Sequence, residues 1–309
     1  MRANLVRVRS RNASPPGHRR ARGFTLAELV IVIVITGIIA AAIVIFLVPA
    51  INAYVDSRRR ADLVSQADTA LRRMARDIRM AVPNSIRSPS DQCFELVPTA
   101  TGGRYRMAPN TVVDATADCS VPANCSATLD TSQPSSAFDV LSPLSAMPAA
   151  GDWVVIGNQD ANDVYAGATR AAISSVSTPD SAFGLYRIAF NAKQFPVGYD
   201  GGRFSVVANN GGSQAVFYIC DNASGVDANG NGTGTLYRLS RPFTPAYPAS
   251  CPATTGAAVL ATHVRSCSLV YSPSTGSTQQ RGFVWMQVDL AQRNETISLS
   301  YGAHVDNVP

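Results

Sequence analysis

Positions 29–55 form 27 consecutive residues without a charge. At about 1.5 Å of rise per residue, a helix of that length outspans a hydrocarbon core of roughly 30 Å. A secretory h-region runs only about 7–15 residues, so the segment reads as a membrane-spanning helix. Beyond it the pattern becomes a stripe. Val64, Ala67, Leu71, Met74 and Ile78 recur at alternating spacings of three and four, which predicts one apolar helical face. Asp68 with Arg72, and Arg73 with Asp77, are i, i+4 pairs on the wetter sides. Pro83 ends the helix. A helix over 24–82 is roughly 90 Å long.

After Pro83 the periodicity shortens to that of strands. Runs at 94–97, 153–156, 185–190, 215–220, 235–239 and 283–290 are rich in β-branched and aromatic residues, and 296–301 alternates strictly. Residues 114–136 and 221–234 are rich in Gly, Asn, Ser or Pro and read as surface loops. No helical period is evident in this half. The predicted fold class is α+β: a long N-terminal helix, spanning in its first half and amphipathic in its second, packed on an antiparallel β-rich head. The expected segments are a basic leader (1–23), a spanning helix (24–53), an amphipathic helix (54–82) and the head (83–309).

Charge sharpens the first of these. Seven arginines and no acid precede position 24, whereas the remainder carries 19 basic and 21 acidic residues. The net charge of +5 is therefore a property of the leader, and it places that end in the cytoplasm by the positive-inside rule. No nucleic-acid partner is expected. Arg58, Arg59 and Arg60 read as a solvated helix face. The six cysteines, Cys93, Cys119, Cys125, Cys220, Cys251 and Cys267, all lie beyond the apolar segment. In an exported head they are disulfide candidates with fifteen possible connectivities. Cys119 and Cys125 are close enough in sequence to close a small loop together.

Glu28 is the anomaly. A carboxylate near a bilayer interior costs about 2.5–3.5 kcal/mol on insertion scales. No cation comes after it before Arg58. A cut after Gly23 would create a free α-amine on Phe24, four residues away, able to neutralise the acid on the same chain or a neighbour.

The run Arg22-Gly23-Phe24-Thr25-Leu26-Ala27-Glu28-Leu29-Val30 resembles the processing site of type IV prepilins and type II secretion pseudopilins. That resemblance implies a prepilin peptidase that cuts after Gly23 and methylates Phe24, and a Glu28 that guides docking into a helical filament. Pro49 comes somewhat later than the helix-bending proline usual in that family. Further likeness lies in Ala70-Leu71-Arg72-Arg73-Met74-Ala75-Arg76-Asp77-Ile78-Arg79, Pro83-Asn84-Ser85, Gly103-Arg104-Tyr105-Arg106, Phe138-Asp139-Val140-Leu141, Asp163-Val164-Tyr165-Ala166-Gly167 and the ending His304-Val305-Asp306-Asn307-Val308-Pro309. These resemble the O-type minor prepilins of the mannose-sensitive haemagglutinin (MSHA) pilus. The J-type minor pseudopilin of type II secretion is a more distant likeness. The implied role is a low-abundance subunit that initiates or caps a surface pilus. Its implied partners are the peptidase, other major and minor pilins, the inner-membrane assembly machinery and, before assembly, the lipid bilayer. Cys119, Cys125 and Cys251 are additional to the family's expected set.

Candidate chemistry in the head is sparse. Asp227, Asn229 and Asn231, then Gly232, fit the opening of a calcium loop, but Arg238 stands where a bidentate Glu belongs, and a plain hairpin loop fits better. His263 and His304 are each alone, and no nucleophile elbow, HExxH or phosphate loop is present. No enzyme activity and no cofactor are expected. The alternatives are a tip adhesin that meets its ligand through exposed aromatics such as Tyr199, Phe243 and Tyr247, or a type II pseudopilin.

Overall fold

The computed structural model describes residues 23–197, 201–273 and 281–306. Helix α1 (Leu26–Arg79) is continuous, with Pro49 inside it. The chain divides after Val55 into two units.

In the first unit every described residue up to Val55 is exposed, including the Ile, Val and Leu side chains of positions 29–48. β-branched residues are modest helix formers in water. In lipid the backbone must satisfy its own hydrogen bonds, and the helix is the way one segment does so. The helix has a mean hydropathy of 3.3 in its most apolar window, with none of that window buried.

In the second unit the helix lays Leu63, Ala67, Ala70, Leu71, Met74, Ala75 and Ile78 into a core. The stripe is shifted slightly from the sequence expectation, because Val64 is 40% exposed and Leu63 takes the inward place. Asp68 pairs with Arg72 at 2.7 Å as expected. Asp77 does not turn to Arg73. It accepts from the Tyr218 hydroxyl at 2.6 Å and from Arg238 at 3.0 Å, both on the sheet below. The helix stops at Arg79, three residues short of the predicted end, because the next residues join a sheet edge: Val82 N–H donates to the Val97 carbonyl.

The helix packs on a seven-stranded antiparallel sheet. Its strands are β1 (Arg87–Ser90), β2 (Cys93–Leu96), β9 (Ala215–Asp221), β10 (Gly234–Arg241), β11 (Ala258–Ser272), β12 (Arg281–Gln292) and β13 (Glu295–Asp306), in that spatial order. Phe94, Leu96, Tyr218, Leu236, Leu269, Met286 and Val288 face the helix. A second layer of six strands contains β3 (Thr101–Arg104), β8 (Arg203–Val207), β5 (Trp153–Val155), β6 (Arg170–Ser177), β7 (Tyr186–Lys193) and β4 (Ser135–Val140). Its two edges meet. Tyr105 bridges Val140, Arg106 N–H donates to the Asp139 carbonyl, and Leu141 N–H to the Arg104 carbonyl. The sheet is thus a small closed barrel, which removes its open edges. Phe138 sits in the middle, with its ring against those of Tyr105, Phe190 and Phe204.

The strands predicted from periodicity are present. Strands β1, β3, β4, β6, β8 and β11 were not among them. A one-turn helix, α2 (Asp163–Ala166), corrects the expectation of no helix after Pro83. Three disulfides, Cys93–Cys251, Cys119–Cys125 and Cys220–Cys267, pair all six cysteines.

Candidate functional site

The start of α1 is a reciprocal cap. Thr25 precedes the first helical residue, and its Oγ1 accepts the Glu28 N–H at 3.2 Å. Glu28 Oε2 in turn accepts the Thr25 N–H at 3.0 Å and the Thr25 hydroxyl at 3.2 Å. The Leu29 N–H then makes the first full-turn bond to the Thr25 carbonyl. This is a capping box, T-x-x-E, in which each side chain accepts the other residue's otherwise orphaned N–H. It was legible in Thr25-Leu26-Ala27-Glu28, and it gives Glu28 a neutral partner on its own chain. The carboxylate also faces the positive end of the helix dipole.

All of these bonds to the carboxylate fall on Oε2 of Glu28. Phe24 is 79% exposed and lies one residue before the N–H that Glu28 holds. Gly23 has open space around its Cβ direction and no left-handed φ, so nothing among the described residues calls for glycine there.

The head holds a buried charged cluster that periodicity could not reveal. Arg87 donates through Nε and Nη2 to Glu95 Oε2, at 3.0 and 2.6 Å. Its Nη1 reaches Asn162 Oδ1, and its guanidinium lies 3.4 Å from the centre of the Tyr165 ring. Arg241 donates to the other carboxylate oxygen of Glu95 at 2.7 Å. Asn162 and Tyr165 belong to the barrel layer, whereas Arg87, Glu95 and Arg241 belong to the sheet, so the cluster ties the two layers. Burial, and then the Glu95 charge, push the Tyr165 phenol well above its usual range. Its hydroxyl donates to the Ser85 carbonyl.

The calcium-loop residues form a hairpin. Asp227 Oδ1 accepts the N–H groups of Asn229 and Asn231, at 2.9 and 2.8 Å, and Oδ2 accepts from Asn231 Nδ2. Asn231 Oδ1 accepts the Arg293 N–H. The carboxylate is held below its usual range, first by the Asn231 backbone bond. No group of three or more His, Cys, Asp or Glu side chains able to hold a metal occurs among the described residues. His263 is one of the bulged residues of β11, at φ 59°, and the His304 ring is tilted against that of Phe283. Of the aromatics proposed for ligand contact, Phe243 is half-buried against Trp153 and Tyr165. The Tyr247 oxygen accepts the Ser88 N–H. Tyr199 lies outside the described residues.

No curated protein and no solved structure matches this chain. The model of the prokaryotic N-terminal methylation motif matches residues 18–44, so Gly23, Phe24, Thr25 and Glu28 all lie inside a type IV pilin-like signature, which points to a structural subunit of the pilin or pseudopilin kind.

Proposed function

We propose that this chain is a minor type IV pilin, made as a prepilin and cut between Gly23 and Phe24, with Phe24 then N-methylated. The observation that carries the reading is an apolar first part of α1, none of whose most apolar window is buried, that begins inside a methylation motif. Such a helix is stored in lipid and needs like helices to leave it. Lipid and helix bundle are both apolar, so hydrophobicity gives little net drive between them, and a polar contact sets the register. Glu28 supplies it. Its Oε2 holds the cap, and its Oε1 is open to the α-amine of Phe24 on a neighbouring subunit. A carboxylate paired with an amine in an apolar setting costs far less than one alone.

The leader lies in the cytoplasm, the helix spans the inner membrane, and the head folds in the periplasm, where an oxidising environment forms the three disulfides. The prepilin peptidase processes the chain, and the inner-membrane machinery passes it to other pilins. The resemblance to O-type MSHA minor prepilins favours a subunit that initiates or caps the pilus. A type II pseudopilin is the competing assignment.

Mass spectrometry of the N-terminus of membrane-extracted protein tests this. N-methylated Phe24 is expected, and a working chain that still begins at Met1 overturns the reading. A deletion strain separates the two assignments: loss of surface pili marks a pilin, and loss of protein secretion with pili intact marks a pseudopilin.

A further inference from the structure

A cleft of about 470 Å³ opens between the end of α1 and the β3–β8 pair of the barrel. That volume lies within the usual range for small-ligand sites, about 300–1,000 Å³. Met80, Ala81 and Val155 are among its apolar lining residues. Arg79, Arg104 and Arg203 line it as well, and no Asp or Glu does.

Two of these arginines are directly opposed. Arg104 on β3 and Arg203 on β8 are Cα partners in the antiparallel register. Like charges placed so are destabilising. Four guanidiniums of the head are answered by acids, Arg87 and Arg241 by Glu95, Arg187 by Asp139 and Arg238 by Asp77, and those of Arg106 and Arg170 by backbone carbonyls, whereas Arg265 and Arg293 form no ion pair with a described residue. Arg79, Arg104 and Arg203 form no ion pair with any described residue. Arg79 has a local explanation, since it sits in the last turn of α1, where a cation complements the dipole. The Arg104–Arg203 pair has none among the described residues.

We propose that the cleft binds an anionic sugar unit, a hydroxylated ring bearing a carboxylate or a phosphate. The planar guanidinium fork matches both groups. Ser145 and Ser205 are also lining residues, and serine suits a polyhydroxylated ring, whereas a lipid chain requires a longer apolar groove. The assignment goes beyond the pilin reading and does not depend on it, because binding is measured on the extracted chain whether or not it has been cut after Gly23.

The test is calorimetric titration of the full chain in non-ionic detergent with galacturonate, glucose 6-phosphate, glucose and inorganic phosphate. Saturable binding of galacturonate or glucose 6-phosphate, at least tenfold tighter than glucose, is expected. R104E should abolish it while leaving the thermal midpoint unchanged or higher, since the substitution turns a repulsive pair into an attractive one. Absence of heat with both charged sugars overturns the proposal. So does equal affinity for glucose 6-phosphate and inorganic phosphate, which removes any role for the ring. Binding that survives in a folded R104E chain overturns it too.

Discussion

Arg87 and Glu95 are register partners on β1 and β2, joined at 2.6 Å with no exposed side-chain surface on either. Arg241 shares the same carboxylate. One acid thus holds two guanidiniums where the sheet meets the barrel layer. Removing it strands one buried and one partly buried guanidinium. Glu95→Gln is expected to cost about 3–5 kcal/mol, the range for breaking a buried pair. Urea unfolding of the extracted protein measures it. Replacing Arg87, Glu95 and Arg241 together with apolar residues of similar volume should recover most of the loss, because the desolvation cost disappears with the charges.

The cap at Thr25 allows the proposed assembly role of Glu28 to be separated from capping. If Glu28 served only as a capping residue, Thr25→Ala would impair assembly as much as Glu28→Ala. The expected result differs. Thr25→Ala should weaken the first turn by about 1 kcal/mol and leave filament incorporation near normal. Glu28→Ala should leave insertion and cleavage intact and sharply reduce incorporation. Immunoblotting of sheared filaments against membrane fractions reads both.

Gly23 is unconstrained by its own fold. Gly23→Leu should therefore leave the head as stable as before and yield an uncut precursor, visible as a mass higher by the whole leader. A cut Gly23→Leu chain would show that the peptidase does not require glycine here.

Acid should loosen the Cys119–Cys125 loop before it unfolds the head. Asp114 accepts from the Ser126 hydroxyl and from the N–H groups of Ser126 and Asn110. The Ser126 side-chain bond, chiefly, holds the carboxyl below its usual range. A depressed acid stabilises the fold above its unfolded pKa of about 4, and the contribution is lost as pH falls through the depressed value. Amide hydrogen exchange at Ser126 should rise selectively from about pH 4 downward. Asp114→Asn should remove that pH step.

The hairpin at 227–232 makes two demands on glycine. Gly230 has φ +73°, and a Cβ on Gly232 would lie 2.2 Å from the His263 carbonyl oxygen. Gly232→Ala should cost about 1–3 kcal/mol through overpacking. Calcium added to the native chain should release no heat, because the Asp227 oxygens already accept N–H donors.

The N-terminal quarter of this chain was readable because its constraints are local. Residues 29–55 are apolar whatever surrounds them, and Gly23-Phe24 and Glu28 stand at fixed spacings from them. The capping box at Thr25 was equally local, though it was hidden behind the more conspicuous question of charge. The stripe ending at Ile78 was nearly right. Its one-residue error at Leu63 and Val64 arises because both are apolar neighbours, and only the sheet decides which faces in.

The head was read less completely, for a physical reason. Strand β3 is Thr-Gly-Gly-Arg and β1 is Arg-Ser-Pro-Ser. Neither has intrinsic β preference, and partners far away in sequence make them strands. Barrel closure at Tyr105 and Val140, the turn of Asp77 from Arg73 to Tyr218 and Arg238, and the meeting of Arg87, Glu95 and Arg241 all join residues distant in sequence.

By itself, then, the sequence determined the membrane-length helix, its N-terminal methylation motif and the β character of the head, since these depend on side chains a few positions apart. Tertiary structure alone decided the pairing of Cys93 with Cys251 and of Cys220 with Cys267, the closed barrel, the Arg87–Glu95–Arg241 cluster and the opposed arginines of the cleft. Those depend on which strands become neighbours, and that choice is made by the collective burial of the core, to which no short stretch of chain has access.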